Sequence, residues 1–437
     1  MVESPEAQPP APAPAPRGGV GLLALALLIA ALGQASFFSM NWDCFDFYQF
    51  WVVGQAAREE GTGNVWSPEE RLRLGQAWAQ RAVQDAGPKS VDGKDRRKLA
   101  ASRRQDLETY STPWLYTLFG WTASGDYNID LRRFQFAGVL SFALAVLGLA
   151  RLAGMSWSAA ALLVAFLITF FAPTLSDMRV GNVNRLQVAA LGAVVLAGAR
   201  RGAGQFVAGF LLGLAVMFKP NLAYPALALG LGWIVLGRWQ RLARQVPAAL
   251  VGAAAAFGLS SQWFGRTAVW SEWSAVLGEL MGEYDHAISK GNVALVKLLE
   301  ELGVGAAGTL VSVVLGVAFL AALGLRRRAR AEAAPLEDLA LVGLGGALSV
   351  STSQLAWLHY DLLVVPLAVY LLRPAAPAWA RVGGFVGLVL VAHEPLKDLF
   401  GYDGAGLFAA GLIATGVVVL FAFTLADLAR PHGARSA

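Results

Sequence analysis

The sequence predicts an all-α protein that crosses a membrane many times. Hydrophobic residues make up 56% of its 437 residues and charged residues only 15%, whereas soluble proteins average about 25% charged residues. Apolar runs of about 17–25 residues recur along the chain, and each is long enough to cross a bilayer about 30 Å thick. The runs are continuous, as expected for buried or lipid-facing helices, and do not alternate with a period of two residues.

Twelve segments have the length and composition of spanning helices. The first, at about 20–38, follows a Pro/Ala-rich tail at 1–18 that is predicted to be a disordered cytoplasmic tail. This first segment could be a signal peptide, but its length and the single preceding Arg17 favour a retained helix. The pair of segments that flanks Lys219-Pro220 could be one broken helix. The other segments lie at about 132–152, 157–173, 183–199, 204–218, 221–237, 246–264, 304–324, 337–353, 357–373, 380–392 and 405–427.

The distribution of arginine predicts the orientation of these helices. With the amino terminus inside, every inner loop is basic and the short outer connections hold few arginines, which is the pattern of the positive-inside rule. The composition, rich in Ala, Gly and Arg, resembles that of bacterial proteins from GC-rich genomes, so we expect a multi-pass protein of the bacterial cytoplasmic (inner) membrane. The inner-loop arginines are Arg151, Arg200, Arg201, Arg238, Arg241, Arg244, Arg326, Arg327, Arg328, Arg330, Arg373, Arg381, Arg430 and Arg435.

The predicted organisation is one transmembrane domain at 19–430 with a cytoplasmic tail at 431–437. Two larger extracytoplasmic loops belong to this domain, at 41–131 and 265–303. In the first loop, the aromatic segment 46–58 is predicted to form an amphipathic helix that lies in the membrane interface. The run Ser67-Pro68-Glu69-Glu70 is a capping box, which predicts a second helix that ends near Asp85.

Residues capable of chemistry concentrate in the predicted outer loops. Asp43 and Asp46 follow the first span and are surrounded by aromatic residues. A carboxylate that is partly desolvated at a membrane edge has a raised pKa and accepts protons more readily. This pair is therefore a candidate for a general base. The alternative is structural, with Asp46 as the N-cap of the interfacial helix.

A second polar group surrounds the start of the predicted span at 183–199. Asn184 and Gln187 are three residues apart, so they share a helix face and could bind hydroxyl groups, while Arg179 or Arg185 could pair with a phosphate. The alternative is hydrogen bonding between helices, which is common for Asn and Gln in membranes. Lys219 could likewise face a lipid phosphate, or could extend its ammonium group to water.

The later outer segments add further candidates. Tyr284, His286 and Asn292 lie in the densest polar cluster between spans, although a solvated loop is the simpler interpretation. His359 and Asp361 open the predicted span at 357–373, where ionisable side chains are costly unless paired or functional. The run His393-Glu394-Pro395 is interpreted as a turn.

The sequence contains none of the patterns expected for metal or nucleotide binding. It has no His-Glu-x-x-His run and no Walker A motif, and Cys44 is its only cysteine. A single cysteine excludes both an intrachain disulfide and a zinc site built from cysteines. We therefore expect no metal site and no cofactor. The excess arginine lies mostly in short loops, where it orients helices, so we expect no nucleic-acid partner either.

The order of several short segments resembles glycosyltransferase family 87, whose members are GT-C-fold enzymes. The similarity covers roughly residues 40–373, and it departs from the family where Asn182 replaces a glutamine, where a Gln-Ser pair is absent after Asn292, and where one of two histidines is missing beside His359. The segments are Asp46-Phe47-Tyr48-Gln49-Phe50-Trp51 with Gly54-Gln55-Ala56-Ala57, Gly181-Asn182-Val183-Asn184, the run at 208–215 with Lys219-Pro220, Gly291-Asn292-Val293-Ala294-Leu295, and His359-Tyr360-Asp361.

The resemblance implies a reaction and the residues that perform it. A hexose, in this interpretation mannose, would pass from a polyprenyl-phosphate sugar, a co-substrate rather than a cofactor, to a hydroxyl of a lipid or glycan acceptor on the extracytoplasmic face. Asp46, or second Asp43, would be the catalytic base. The phosphate would be bound by His359, Lys219, Arg185 and Arg179. The sugar or acceptor would be bound by Asn182, Asn184, Gln187, Tyr284, His286, Asn292 and Asp361. Phe47, Phe50 and Trp51 would line a groove for the lipid.

Two other functions remain open at this stage. A transporter or flippase of a lipid-linked sugar would place polar residues near the middle of the membrane, often in repeated halves. The polar residues here cluster at one edge instead, and no internal repeat is evident. A catalytically inactive scaffold would tolerate replacement of Asp46.

Overall fold

The structure is a computed structural model that describes residues 18–39, 41–59, 61–86, 98–283, 287–328, 335–393 and 406–430. In these ranges the chain forms α-helices and short 3-10 helices and no β-strand, apart from one isolated bridge between Asn292 and Trp357. The all-α prediction is therefore confirmed for the part of the chain that the structure describes.

The amino-terminal half of the chain begins with a long helix, and helices of different lengths follow it. These helices are α1 (Gly18–Ser39), α2 (Phe45–Glu59), α3 (Pro68–Ala86), α4 (Pro113–Thr122), α5 (Tyr127–Leu152), α6 (Trp157–Thr169), α7 (Ala172–Val180), α8 (Asn184–Gly198) and α9 (Ala203–Phe218).

The carboxy-terminal half continues the helical bundle. A 3-10 turn (Pro220–Leu222) leads into α10 (Ala223–Val235), and further 3-10 helices span Ile288–Lys290 and Leu358–Val364. The α-helices that follow are α11 (Trp239–Trp263), α12 (Val269–Glu283), α13 (Leu295–Glu301), α14 (Ala307–Arg328), α15 (Pro335–Thr352), α16 (Val365–Leu371), α17 (Ala378–Ala392) and α18 (Leu407–Ala429).

The chain is a helical membrane protein. Among the described residues, α1, α5, α11, α14 and α18 are long and apolar enough to cross a bilayer. The pair α6 and α7, bent by 54°, passes the same test when taken as one span. Each of the twelve predicted apolar segments coincides with a helix or a helix pair, but several of these helices are shorter than a bilayer requires. The count of twelve spans therefore stays a prediction.

The first loop differs from its prediction in one respect. The predicted interfacial helix forms as α2, but its residues from Phe47 to Ala56 are all buried, so α2 does not present one apolar face to lipid. Apolar side chains lie on several sides of α2, and a helix with a wide apolar surface is stable when other segments cover it. Helices α3, α4 and α5 pack around it, and the Trp51 indole N–H donates to Asp130 at 3.0 Å.

The Ser67 half of the predicted capping box is present at the start of α3, whereas the Ser67 backbone N–H donates to the Asn64 carbonyl at 2.9 Å and not to Glu70. The Glu70 backbone N–H donates to Ser67 Oγ at 3.3 Å, as the motif requires. The Glu70 carboxylate accepts a bond from the Gly63 backbone N–H at 3.0 Å. The helix ends at Ala86, one residue beyond the predicted end.

Several arginines of the predicted inner loops pair with carboxylates at helix ends, and we call this side of the bundle the arginine end. Arg326 lies 3.0 Å from Glu337, and Arg238 lies 3.3 Å from the same carboxylate. Arg241 pairs with Asp338, and Arg373 pairs with Asp427. Both members of most of these pairs are largely buried. The pairs join the ends of α11, α14, α15, α16 and α18.

Close packing between α9 and α11 places Lys219 at the opposite side of the bundle. A Cβ atom added to Gly213 of α9 would lie 2.0 Å from the Ala249 carbonyl oxygen of α11. A Cβ added to Gly252 of α11 would lie 2.2 Å from the Phe210 carbonyl oxygen. Only glycine allows the two backbones to approach this closely, and α9 delivers Lys219 immediately after its last residue.

We expect Gly213→Ala to lower the thermal unfolding temperature of the purified protein, because the added methyl group collides with backbone atoms that cannot move freely. Overpacking of this kind costs about 1–3 kcal/mol. The matched control is Gly230→Ala in α10, where a Cβ would meet nothing within 4 Å. That variant should be neutral or more stable by about 1 kcal/mol, since alanine has the higher helix propensity. Equal stability of both variants would contradict the packing argument.

Candidate functional site

A cavity of about 590 Å³ opens at the side of the bundle opposite the arginine end. Side chains from α2, from the segment before α4, from α7, from the two carboxy-terminal 3-10 helices and from the ends of α17 and α18 meet in it. Its polar lining residues are Asp46, Arg104, Glu108, Ser176, Asn292, His359 and His393. Several of the polar loop residues that were predicted to lie on one side therefore line a common cavity.

A smaller cavity of about 110 Å³ adjoins the first and is more polar. Asp46, Glu108 and Trp357 line both cavities, so they mark the boundary between them. Lys219 and Asn182 line only the smaller one. Asp46 is thus placed where a group bound in either cavity could reach it.

Asp46 lies in the first turn of α2 and is half-buried. The Asn182 amide donates to its carboxylate at 2.5 Å. Burial raises the pKa of Asp46 to about 6, and the nearby Glu108 adds to this, while the Asn182 hydrogen bond and the charge of Lys219 oppose it. A carboxylate with a pKa near neutral suits general-base chemistry. Since α2 starts at Phe45, Asp46 is inside the helix and is not its N-cap.

Asp43, the second candidate base, is half-buried but lines neither cavity. Its backbone carbonyl accepts a bond from the Tyr127 hydroxyl at 3.1 Å, which ties the start of α2 to α5. Of the two predicted carboxylates, the structure brings only Asp46 to the cavities.

Gly181 allows Asn182 to reach Asp46. Gly181 ends α7 with φ of +71°, and a Cβ there would lie 2.8 Å from the Cβ atoms of Cys44 and Phe47. A larger residue would push the turn between α7 and α8 away from α2. The Gly-Asn pair singled out in the sequence therefore has a geometric reason.

A buried network holds this turn in place. Arg185 lies 2.7 Å from Asp177, and both side chains are almost completely buried. The Asn184 amide donates to Asp177 at 2.9 Å and to Asn182 at 3.2 Å, and the Gln187 amide donates to Asn184 at 2.8 Å. Arg185, Asn184 and Gln187 line neither cavity, so the structure uses these predicted substrate-binding residues to position Asn182.

The remaining phosphate candidates differ in their placement. Lys219 is half-buried in the smaller cavity, with its ammonium 5.9 Å from the ring centres of both Phe50 and Tyr360. His359 is buried, lines the larger cavity, and has its Nδ1 3.5 Å from the Ser176 hydroxyl. Arg179 is exposed on α7 and lines neither cavity.

The predicted sugar-binding residues of the later loops also lie in different places. Asn292 lines the larger cavity, but its amide donates to the Gln354 carbonyl at 2.8 Å and accepts bonds from the backbone N–H groups of Ala294 and Ala356. Asp361 is buried and lines neither cavity. Tyr284 and His286 lie outside the described residues.

The aromatic residues predicted to form a lipid groove face two different spaces. Phe47 and Trp51 line a mostly apolar cavity of about 400 Å³ between α2, α4 and α5. Phe50 lines the small polar cavity beside Lys219. The exposed side chain of Arg133 lies at the edge of the apolar cavity.

Four residues of the larger cavity were not predicted. Arg104 and Glu108, 2.7 Å apart, lie in the charged part of the first loop, and Ser176 carries no sequence signal. His393 was interpreted as part of a turn, and it does end α17. Within the described residues, no group of three or more His, Cys, Asp or Glu side chains is arranged to hold a metal ion.

Comparison with known protein families gives one match. The model of glycosyltransferase family 87 matches residues 111–352, more than half of the chain. The matched region contains Asn182, Lys219 and Asn292, whereas Asp46 precedes it and His359 follows it. Searches of curated proteins and of solved structures returned no match.

We expect Asp177→Ala to destabilise the protein by about 3–5 kcal/mol, because the Arg185 guanidinium would remain buried without its charge partner. Thermal unfolding of the detergent-solubilised protein measures the loss. Asp43→Ala is the control, and it should change stability by less than about 0.5 kcal/mol. The double variant Asp177→Leu with Arg185→Met should recover only part of the loss, since it removes both charges but leaves the buried amides of Asn184 and Gln135 without these partners. An unchanged unfolding temperature for Asp177→Ala would contradict a structural role for the pair.

Proposed function

The chain belongs to glycosyltransferase family 87, and we propose that it transfers a hexose, specifically mannose, from a polyprenyl-phosphate sugar to a hydroxyl of a lipid or glycan acceptor. The observation that carries this proposal is the position of Asp46. It is a half-buried carboxylate with a pKa of about 6, between a cavity large enough for a sugar and a smaller one that contains Lys219.

In the proposed reaction, the Asp46 carboxylate accepts the proton of the acceptor hydroxyl as its oxygen attacks the anomeric carbon. The bond between that carbon and the phosphate oxygen breaks, and the polyprenyl phosphate leaves with the electron pair. Lys219 and His359 stabilise the charge that develops on the departing phosphate. The Asn182 hydrogen bond holds the Asp46 carboxylate in position, which is what a positioned base requires.

The donor is a co-substrate that is already activated, so the proposal includes no cofactor and no metal. A phosphate monoester of a lipid is a leaving group that a lysine and a histidine can stabilise through charge and hydrogen bonds. Arg185 and Arg179 are no longer favoured for this role, because one is paired with Asp177 and the other is exposed away from the cavities.

We propose a GT-C-like arrangement of about twelve spans, with the domain boundaries predicted above and the active site on the extracytoplasmic face of the bacterial cytoplasmic membrane. The arginine end supports this orientation, because arginines favour the cytoplasmic side and the cavities lie at the other side of the bundle. The apolar cavity lined by Phe47 and Trp51 would hold part of a substrate lipid.

Membership in a glycosyltransferase family favours the enzyme over the transporter. The arrangement of the site agrees with that choice. A transporter fold places its binding groups on broken helices near the middle of the membrane, whereas Asp46 lies at the start of α2, in the segment between two apolar helices.

We expect Asp46→Asn to lower the rate of sugar transfer by about 10²–10⁴-fold, the usual contribution of a general base. Transfer of radiolabelled mannose from synthetic polyprenyl-phosphate-mannose to a membrane lipid extract measures it. Asparagine keeps the shape of aspartate, and an unchanged unfolding temperature would confirm that the variant is folded. Asp43→Asn should retain most of the activity. If Asp43→Asn loses activity and Asp46→Asn does not, the base is assigned wrongly.

The pH profile provides an independent test of the same group. Asp46 must be deprotonated to act as a base, so kcat/KM should fall about tenfold for each pH unit below the Asp46 pKa of about 6. Glu108→Gln should move this acidic limb to lower pH, because the charge of Glu108 helps to raise the Asp46 pKa. Lys219→Met should move the limb to higher pH. A profile that is flat between pH 5 and 7 would contradict Asp46 as the base.

A further inference from the structure

His393 has an unusual backbone conformation at the edge of the larger cavity. It ends α17 in the left-handed region, with φ of +34°, and its backbone N–H donates to the Val389 carbonyl at 3.2 Å. Within the described ranges, Cys44 and His393 are the only residues other than glycine with positive φ. Of the two, only His393 lines the larger cavity, whereas Cys44 is buried two residues before Asp46.

A histidine at this position is unfavourable for the backbone alone. Helices commonly end with glycine in the left-handed region, because glycine has no Cβ to collide with the backbone. In this chain, Gly181 and Gly291 end helices in that way. Backbone strain at other residues concentrates at functional sites, where the side chain compensates for it. The conformation therefore suggests that the imidazole of His393 is needed where it lies.

The environment of the imidazole indicates what it would bind. The side chain of His393 is 2% exposed and lines the cavity shared by Asp46 and His359. Ala410 and Ile413 of α18 contribute to the same lining. A neutral imidazole offers one hydrogen-bond donor and one acceptor. A sugar has hydroxyl groups around an apolar ring face. It could therefore hydrogen-bond the imidazole while its ring packs against the apolar side chains.

We propose that His393 hydrogen-bonds a hydroxyl of the transferred sugar and thereby determines which hexose the enzyme accepts. This inference rests on the proposed function, since it takes the larger cavity as the sugar site. The phosphate is assigned to Lys219, which lines the smaller cavity, and to His359, so His393 is left for the sugar itself. His393 also follows the region that matches the family, so the carboxy-terminal segment would supply this selectivity.

Substitution by glycine separates a binding role from a structural one. His393→Gly relieves the backbone but removes a buried side chain, so its unfolding temperature is measured beside that of the wild type to show that the variant is folded. We expect kcat/KM for the preferred donor to fall about tenfold or more, as when a buried hydrogen bond to substrate is lost. His393→Asn should retain part of the activity, because asparagine tolerates the left-handed region and keeps a donor and an acceptor.

The decisive measurement is the ratio of kcat/KM among donors that differ in one hydroxyl. Polyprenyl-phosphate-mannose and -glucose differ only at C2, and the glucose and galactose donors differ only at C4. The ratio of the preferred donor to the next should shrink at least about tenfold in His393→Gly, since the hydroxyl contact is what discriminates between them. Val391→Ala, which truncates a fully buried side chain of α17, is the control. It should lower the unfolding temperature and leave the ratio unchanged.

Each contrary result has a distinct meaning. If the donor ratio in His393→Gly equals that of the wild type while Asp46→Asn is inactive, this inference is overturned and the proposed function stands. A rise in KM for the acceptor extract alone, with the donor ratio unchanged, would overturn it as well, because His393 would then bind the acceptor. If the wild type transfers sugar from none of the three donors, the proposed function fails, and this inference fails with it.

Discussion

The buried ion pair between Asp177 and Arg185 is the interaction on which the site depends. It lies on the two sides of the turn between α7 and α8, and it is surrounded by the amides of Asn184 and Gln135. A buried charge pair is stable only when its remaining hydrogen-bonding groups are largely satisfied. That requirement makes the turn rigid, and the rigid turn presents Asn182 to the Asp46 carboxylate. Removal of either charge would therefore disturb the turn and, through Asn182, the position of the Asp46 carboxylate.

The two sides of the bundle use charge in different ways. At the arginine end, Arg326 and Glu337 neutralise each other across helix ends and stabilise the arrangement of the bundle. On the other side, Asp46 and Lys219 border open space. Burial without a direct ion pair keeps the pKa of Asp46 high, which is the state that the proposed base requires. Stabilising ion pairs thus occur on both sides of the bundle, and the cavity side adds a carboxylate without one.

The sequence predicted that polar residues gather on one side of the bundle, but it could not assign their individual tasks. Arg185 and Lys219 looked equally able to bind phosphate, because both are cations beside apolar segments. Only the fold shows that Arg185 already has a partner, Asp177, which is eight positions away in the chain. His393 was not among the predicted site residues, because its local sequence indicates a turn. A histidine before Glu-Pro is typical of a turn, and nothing local reveals that the turn borders a cavity.

The sequence by itself determined where helices form and the membrane class of the protein. Hydrophobic runs and the capping box at Ser67 are local signals, since they depend on residues within a few turns of one another. The tertiary structure decided that neighbouring helices bury α2 on all sides, and that Asp46 rather than Asp43 faces the cavities. A cavity exists only where elements distant in sequence approach without filling the space. Contacts between such elements depend on the packing of whole helices, so they cannot be inferred from any short segment of the sequence.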